Sequence, residues 1–472
     1  MRELYWLEIK LLLRSRGAVA LMLVFFALLA AAAASGFQRE AARAQVVQTL
    51  LREDAGRLDR LREDLRGIEA KTIGPKRYGD PRQAGRIGRT LGVREAVLPP
   101  GALGWLALGV ADVQPWHYTV STYHRSAFAD EYELRNPMEL QAGALDLAFV
   151  IGWVLPLVLI ALGYDWLARD RETGRGTLLL GSPGAVPRAA LARLAALATV
   201  PGLAAVGLAA VSLSSAGLLE ASALAALVLA YGLLWIALLF AFNLWFARAA
   251  TIATALTMVW LASCAVAPAL LDAGLRTAAP LPSRLELLTS ERRALVESDR
   301  RHSELLARYL HDHPEAADPK DKVDVPEFLL RSTIQHREID ALVEPLRRSL
   351  ETGRARQQGL LDRLQWLSPA VVLSEAMAAL AGNDARRHAA FEDAVADLHR
   401  RWSAHFFPLV IAKARFTAAD ADRLPRFEFS EPGGGAARAG WAALFLAVCA
   451  LAAGALALPR LGTPFQFFSK GP

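Results

Sequence analysis

The charged stretch from Tyr164 to Gly184, YDWLARDRETGRGTLLLGSPG, contains the residues whose types and spacing most strongly favour a function. Acidic and arginine side chains lie side by side in it, and glycines interrupt it, yet it connects two long runs with almost no charge. In a soluble enzyme such a stretch would be a surface loop. In a membrane protein it would lie outside the bilayer, where its charges can pair with those of a partner protein. The neighbouring segments decide between these interpretations.

Motifs of known catalytic types do not occur in the sequence. A GxxxxGKS or GxxxxGKT loop, which cradles nucleotide phosphates, is missing, so we predict that this chain does not hydrolyse ATP itself. HExxH, paired CxxC and GxSxG are missing as well. His311 and His313 flank Asp312, but no second cluster lies at ligand spacing, and we interpret the stretch as a solvated helix end. We therefore predict no catalytic, metal-binding or cofactor-binding residue in this chain.

The composition indicates apolar blocks that alternate with hydrophilic ones. Of the 472 residues, 54% are hydrophobic and 21% are charged, and the net charge of +6 is too mild to indicate nucleic-acid binding. Six runs approach or exceed the roughly 20 apolar residues that cross a bilayer. Asp146, at the edge of the second run, and Asn243, within the fourth, are interpreted as helix-packing or interfacial groups. The chain is therefore predicted to be an all-α integral membrane protein with six transmembrane helices, at 18–36, 145–163, 194–219, 221–246, 249–271 and 439–459.

The positive-inside rule orients the chain, because cytoplasmic loops carry an excess of arginine and lysine. The segment 164–193 contains five arginines, whereas the next short link carries only Glu220. We therefore predict that this segment, both termini and the tail 460–472 face the cytoplasm. The two large hydrophilic insertions, 37–144 and 272–438, are then extracytoplasmic.

Residues 1–17 are predicted to form an amphipathic interfacial helix on the inner leaflet, because Leu4, Leu7 and Leu11 share one helical face. A cleaved secretory signal is the alternative, since a basic start, an apolar middle and the small residues AAAASG also fit that pattern. The apolar run is longer than the usual signal core, so we favour an uncleaved first span. Cleavage would leave five spans with the same orientation.

Both insertions are predicted to be mainly helical. In the first, apolar residues recur at alternating four- and three-residue steps, the pattern of an a/d seam on a long amphipathic helix. The seam residues are Val47, Leu51, Leu58, Leu61, Leu65 and Ile68. The simpler interpretation is that they pack the insertions together as a helical bundle. The alternative hypothesis is a docking seam for a periplasmic protein, formed by Leu51, Leu58, Leu61 and Leu65.

The charged stretch and the residues after it, YDWLARDRETGRGTLLLGSPGAVPRAALAR, resemble the cytoplasmic loop between the second and third spans of ABC-2 type transporter permeases. In that family an acidic–basic patch, followed by Gly-Thr-Leu and a proline, forms a short coupling helix that sits in a cleft of the separate ATPase subunit. The matching positions are Asp170, Arg171, Glu172, Gly176, Thr177, Leu178 and Pro183. The spacing from Glu172 to Gly176 is wider than the commonest family pattern.

Two further stretches are similar to the branch of that family whose members carry the DUF3526 domain. They are residues 136–165, NPMELQAGALDLAFVIGWVLPLVLIALGYD, and residues 363–408, which begin RLQWLSPAVVLSEAMAALAG. The resemblance covers most of the chain in order. It implies a non-catalytic, multi-pass subunit of the bacterial inner membrane, paired with a second permease copy or a paralogue. It also implies cytosolic ABC ATPase subunits, which would hold the ATP and magnesium that this chain does not bind.

The resemblance leaves three hypotheses for function. The first is a permease subunit that exports a substrate and is driven by the ATPase subunits. The second is a membrane subunit that passes force to a periplasmic partner without transporting a substrate. The third is a stand-alone sensor or scaffold, with which no ATPase would co-purify.

Overall fold

A computed structural model of the chain describes residues 1–74, 80–125, 145–172, 185–312, 314 and 323–461. Across these ranges the protein is mostly helical, with one pair of short strands. Six helical units are long and apolar enough to cross a membrane, which confirms the prediction of six apolar helices. Of the segment 164–193, residues 173–184 lie outside the described residues, and so does the tail after Leu461.

The elements of the first half are α1 (Arg2–Arg14), α2 (Arg16–Glu69), α3 (Ala84–Arg86), β1 (Arg94–Val97), β2 (His117–Val120), α4 (Leu147–Phe149), α5 (Leu155–Gly163), α6 (Trp166–Glu172) and α7 (Ala185–Ala216). Those that follow are α8 (Leu218–Trp245), α9 (Ala249–Leu261), α10 (Ala267–Ala278), α11 (Arg284–Asp312), α12 (Glu327–Leu364), α13 (Pro369–Ala381), α14 (Ala385–Ile411), α15 (Ala418–Asp422) and α16 (Gly435–Leu461). Short π-helical turns occupy Ile87–Leu91, Val150–Val154 and Ala262–Val266, and 3₁₀ turns occupy Gly109–Asp112 and Gln365–Leu367.

The bundle consists of α2, the α4–α6 unit, α7, α8, the α9–α10 unit and α16. Helix α8 lies at its centre, where it packs against α16, α7, α5, α9 and α13. Tyr231 and Trp235 of α8 are almost completely buried. Several helix ends differ from the predicted spans: for example, α7 is already helical at Ala185, and α10 extends to Ala278. Hydropathy marks only the apolar part of a helix, whereas backbone hydrogen bonding continues beyond it.

Helix α2 is continuous over 54 residues and joins the bundle to the domain beside it. At about 1.5 Å per residue its length is roughly 80 Å, far more than a bilayer requires. Ser15 separates it from α1 and accepts a hydrogen bond from the Ala18 amide at 3.3 Å. The chain therefore has no structural break at the predicted boundary after Gly36, because the change from apolar to charged residues there leaves the helical conformation intact.

At an irregular turn inside the bundle, side chains of neighbouring helices donate hydrogen bonds to backbone carbonyls. The Gly152 carbonyl accepts a hydrogen bond from the Tyr231 hydroxyl at 2.7 Å. The Trp153 carbonyl accepts one from Trp260 Nε1 at 3.1 Å. An unsatisfied carbonyl in the bilayer interior would cost several kcal/mol, so these contacts explain how the π-helical turn is tolerated.

The two insertions share one hydrophobic core and form one domain. The core combines side chains from α2, the π-helical turn at Ile87–Leu91, the paired strands β1 and β2, α12 and α14, among them Leu65, Ile87, Tyr118, Leu329, Phe391, Trp402 and Phe406. The helical sequence pattern predicts no strand here, but β1 and β2 pair antiparallel, with Arg94 opposite Val120. Tyr118 and Val120 alternate inward on β2, and an alternation over only four residues is too short to stand out in a helical sequence.

Helix α13 lies within the predicted insertion 272–438 but packs into the bundle. Val372, Leu373 and Met377 are buried in the same core as α5 and α8. With 13 residues, α13 is about 20 Å long, too short to cross a bilayer. One helix of the predicted insertion is therefore part of the core of the bundle, a contact that the sequence pattern does not indicate.

Arg387 and Asn383 join the domain to the bundle at the end of α13. Arg387 is 4% exposed, donates to the carbonyls of Gly382 and Pro99 at 2.8 Å each, and pairs with Glu431. The Asn383 amide donates to the Ala107 carbonyl at 2.8 Å. These contacts give the domain a second attachment beside α2.

The seam of α2 supplies a matched pair of stability variants, Leu65→Ala and Leu51→Ala. Leu65 is 1% exposed and Leu51 is 50% exposed. We expect Leu65→Ala to lower the free energy of unfolding by about 2–4 kcal/mol, because it leaves a cavity in the domain core. Leu51→Ala should change it by less than about 0.5 kcal/mol. Thermal melts of the two purified variants measure the difference, and equal melting temperatures would contradict the described packing.

Candidate functional site

Helix α6 lies where the ends of α5, α7, α8 and α16 meet, and we call this the terminal end of the bundle. Trp166 of α6 stacks on Phe240 of α8, with ring centroids 6.4 Å apart. A small apolar cluster fills the centre of this end and consists of Leu167, Ala190, Phe240, Ala241, Leu244 and Ala457. The part of the predicted coupling segment that the structure describes is therefore packed onto three other helices.

Asn243 of α8 is the central polar contact of the terminal end. It is fully buried, and its side-chain oxygen accepts a hydrogen bond from the Leu167 amide at 3.2 Å. Its side-chain nitrogen donates to the Gly163 carbonyl at 3.2 Å and to the Leu239 carbonyl at 3.0 Å. One side chain thus binds both the end of α5 and the start of α6, in agreement with its interpretation as a helix-packing group.

Arg171 gives α6 a second hydrogen bond to α8. Its guanidinium donates to the Phe246 carbonyl at 2.7 Å, just beyond the last residue of α8. The Arg169 side chain, by contrast, is 71% exposed, and it forms an ion pair with Asp165 at 3.8 Å. Helix α6 therefore presents an anchored face to the bundle and a charged face to the surroundings.

The other predicted coupling residues are placed only in part. Asp170 lies on α6 between the two arginines, and Glu172 is the last residue of α6. Gly176, Thr177, Leu178 and Pro183 lie outside the described residues. The structure therefore brings Asp170, Arg171 and Glu172 together on one short helix.

Helix α1 is also attached at the terminal end. Glu8 of α1 forms an ion pair with Arg193 of α7, and both side chains are 17% exposed. Leu7 and Leu11, by contrast, are exposed, as expected for a helix whose apolar face lies on a membrane surface. The leucine spacing indicates the amphipathic helix but not this ion pair, because Glu8 and Arg193 are far apart in the chain.

The residues of the predicted docking seam have different environments. Leu61 and Leu65 are buried in the core of the domain, and Leu58 packs against that core. Leu51 is exposed. Three of the four side chains are thus in contact with the chain's own core, and only Leu51 is openly accessible to another protein.

A cavity of about 690 Å³ lies in the domain between α12 and α14. Its lining carries both signs of charge, and the carboxylates of α12 already have arginine partners. Glu344 pairs with Arg348 at 2.7 Å, and Glu351 pairs with Arg125 at 3.1 Å. This internal pairing weakens any preference of the cavity for a charged ligand.

Three histidines lie beside that cavity, and burial affects their protonation. The Nδ1 atoms of His124 and His336 are 2.9 Å apart, so one imidazole donates to the other. Burial, together with the smaller effects of His124, Arg89 and His399, lowers the pKa of His336 to about 3. Burial also lowers the pKa of His399. His336 and His399 are therefore neutral at pH 7.

The comparisons with known proteins identify one region of the chain. Residues 284–430 match the family model described as "Domain of unknown function (DUF3526)". This region runs from α11 past α15 and includes α13, which confirms the part of the resemblance that concerned this domain. No curated protein and no solved structure matches the chain.

Replacing Asn243 with leucine tests the attachment of α6. The substitution leaves the Leu167 amide and the Gly163 carbonyl without their buried partner, which costs about 1–3 kcal/mol. We expect faster amide hydrogen exchange in residues 164–172 and a lower melting temperature. Thr257→Val is the matched control, because Thr257 is exposed and bonds only to its own helix, at Ala253. Unchanged exchange in residues 164–172 would show that Asn243 does not hold α6.

Acidification should destabilise the domain through His336. Because the pKa is lower in the folded than in the unfolded state, the unfolded chain binds the extra proton, and stability is lost as the pH falls below about 6.5. We expect His336 to contribute a loss of roughly 1–2 kcal/mol at pH 5. The variant His336→Gln should show a shallower fall of melting temperature between pH 7.5 and pH 5. His311→Gln, at an exposed position, should follow the wild type.

Proposed function

We propose that this chain is the transmembrane permease subunit of an ABC-2 type transporter, driven by separate ATPase subunits that bind at the terminal end. The observation that carries the proposal is the attachment of α6. Its inner face is fixed to α8 through Asn243 and Arg171, while Arg169 points outward. A helix that couples the bundle to an ATPase subunit needs an inner face fixed to the bundle and a charged face open to the partner. A loosely held helix could not pass force to the bundle.

Residue types support the same proposal. The positions that resemble the coupling helix of ABC-2 type permeases begin on α6, with Asp170, Arg171 and Glu172. The sequence contains no phosphate-binding loop, and in the proposed complex the separate ATPase subunits supply the energy for movement. In the proposed complex, both termini and α6 face the cytoplasm, and the domain lies on the opposite side of the inner membrane.

The attachment indicates how closure of the ATPase subunits would act on the bundle. Force applied to α6 would reach α8 first, through two polar contacts and the apolar cluster around Leu167. Since α8 is the central helix, its displacement would change the packing of α7, α16 and α5 together. Packed interfaces respond to such displacements by switching between discrete arrangements rather than by deforming continuously.

The continuous helix α2 favours a second candidate function, force transmission to a periplasmic partner. A rod that runs from the bundle into the domain would carry a movement of the bundle outward. Substrate-stimulated ATPase activity in vesicles would support the permease. Capture of a periplasmic protein that is lost on Leu51→Asp would support force transmission, because Leu51 is the accessible residue of the seam.

Charge reversal at Arg169 tests the proposed ATPase contact. Arg169 and Arg276 form a matched pair, since they are 71% and 76% exposed and each pairs with an aspartate four residues earlier. We expect Arg169→Glu to reduce the amount of co-purified ATPase at least about tenfold, the effect of losing roughly 1.4 kcal/mol of binding. Arg276→Glu should retain the ATPase.

The measurement is co-purification of the full chain from its host in mild detergent, with nucleotide hydrolysis assayed in the eluate. Melting temperatures of both variants should equal that of the wild type, because both arginines are exposed. The proposed contact is wrong if no nucleotide-hydrolysing protein co-purifies with the wild-type chain. It is also wrong if as much of that protein co-purifies with Arg169→Glu as with the wild type.

A further inference from the structure

A cavity of about 240 Å³ lies where the domain meets the bundle, opposite the terminal end. The end of α12, the start of α14, α13 and α16 enclose it. The residues that matter for binding are Asp362, Trp366, Glu375, Arg386, Arg438 and Trp441. The volume is below the roughly 300–1,000 Å³ of pockets that enclose drug-sized ligands. It therefore suits a small polar group rather than a whole substrate.

The charges of this cavity are incompletely paired. Arg386 pairs with Asp362, and Arg438 pairs with Asp384 at 2.6 Å. Glu375 has no ion pair or hydrogen bond with any of the described residues, although it is partly buried. Burial and the nearby carboxylates of Asp384 and Asp362 raise the pKa of Glu375, and the charges of Arg438 and Arg386 offset only part of that rise. A cationic donor beside Glu375 would lower its pKa again, and the two arginines, which already pair with aspartates, can also bind an anion.

An exposed apolar stripe runs from the cavity along α16. Trp441 is 67% exposed, and the stripe continues with Leu444, Val448 and Leu451, which are 52%, 54% and 73% exposed. Their spacing places them on one face of the helix. Trp366, which stacks edge-on against Phe445 at 4.9 Å, lies at the mouth of the cavity beside Trp441. Tryptophans at the border of a spanning helix are typical of the headgroup level of a bilayer.

We propose that this cavity binds the headgroup of a phospholipid that carries a primary ammonium group, with its acyl chains along the α16 stripe. The ammonium group lies against Glu375, and the phosphate lies against Arg386 and Arg438. A quaternary ammonium headgroup has no N–H to donate to Glu375 and binds less well. The inference requires only that the six helices cross a bilayer, so it stands apart from the proposed permease function.

Lipid retention by the full chain tests the site. The protein is reconstituted in nanodiscs of equal parts phosphatidylethanolamine and phosphatidylcholine with matched acyl chains, and the lipids that remain bound are counted by native mass spectrometry. We expect a preference for phosphatidylethanolamine of about tenfold, the effect of one charge-assisted hydrogen bond. Equal retention of the two lipids would overturn the assignment.

Two variants test the contact with the ammonium group and the contact with the phosphate separately. Glu375→Gln keeps the shape of the side chain and should bring the preference close to parity, while total retention stays measurable. Arg386→Gln should reduce the retention of both lipids and leave their ratio unchanged. Arg276→Gln, at an exposed ion-paired arginine outside the cavity, is the control and should behave as the wild type. A preference that survives Glu375→Gln, or one that Arg276→Gln abolishes, would contradict the site.

Soluble phosphoethanolamine distinguishes a lipid site from a site for a free phosphate compound. It carries the same polar groups but no acyl chains, so at equal concentration it should raise the melting temperature of the detergent-purified chain much less than the lipid does. Equal stabilisation by both compounds would show that the α16 stripe contributes nothing, and the lipid assignment would then be wrong.

Discussion

The unbroken helix α2 is the constraint on which the arrangement of this protein depends. Its first part is apolar and lies in the bundle, and its later part supplies Leu61 and Leu65 to the core of the domain. A hydrogen-bonded helix cannot swivel at an interior residue without losing backbone bonds. At Gly36 it passes so close to the Trp105 carbonyl that a Cβ atom would lie 2.2 Å from that oxygen. Together with the contacts of Arg387 and Asn383, α2 makes the domain and the bundle one mechanical unit.

In a bilayer, a bundle of these six apolar helices would have to satisfy every backbone polar group without water. Most of these groups are paired within their own helices, but the π-helical turns and helix ends are not. Tyr231 and Trp260 satisfy the carbonyls of one π-helical turn, and Asn243 satisfies the chain reversal between α5 and α6. These three polar side chains therefore bind at places where the helices are irregular. The same side chains hold neighbouring helices in one fixed register.

Hydropathy predicts the six apolar helices of this fold, but it does not predict which side chains of the helices outside the bundle are buried. Runs of apolar residues identify all six spans, because a bilayer demands continuous hydrophobicity. The seam of α2 is recognisable by its spacing, but the spacing alone does not show that Leu61 is buried and Leu51 exposed. That difference depends on β1 and α15, which pack against the later part of α2 and lie outside it in the sequence. The cavity around Glu375 was missed for the same reason, since four separate helices supply its lining.

The contacts at the terminal end define two routes by which force could enter the bundle. The ion pair between Glu8 and Arg193 joins α1 to α7, and both side chains are largely buried, at 17% exposure. Asn243 makes three hydrogen bonds in a fully buried position, where each lost partner costs about 1–3 kcal/mol. Since Asn243 lies on the central helix, displacement of α6 acts directly on α8, whereas the ion pair of α1 acts on α7. In the proposed permease, α6 is therefore the direct route to the central helix, and α1, with its exposed Leu7 and Leu11, lies against the membrane surface.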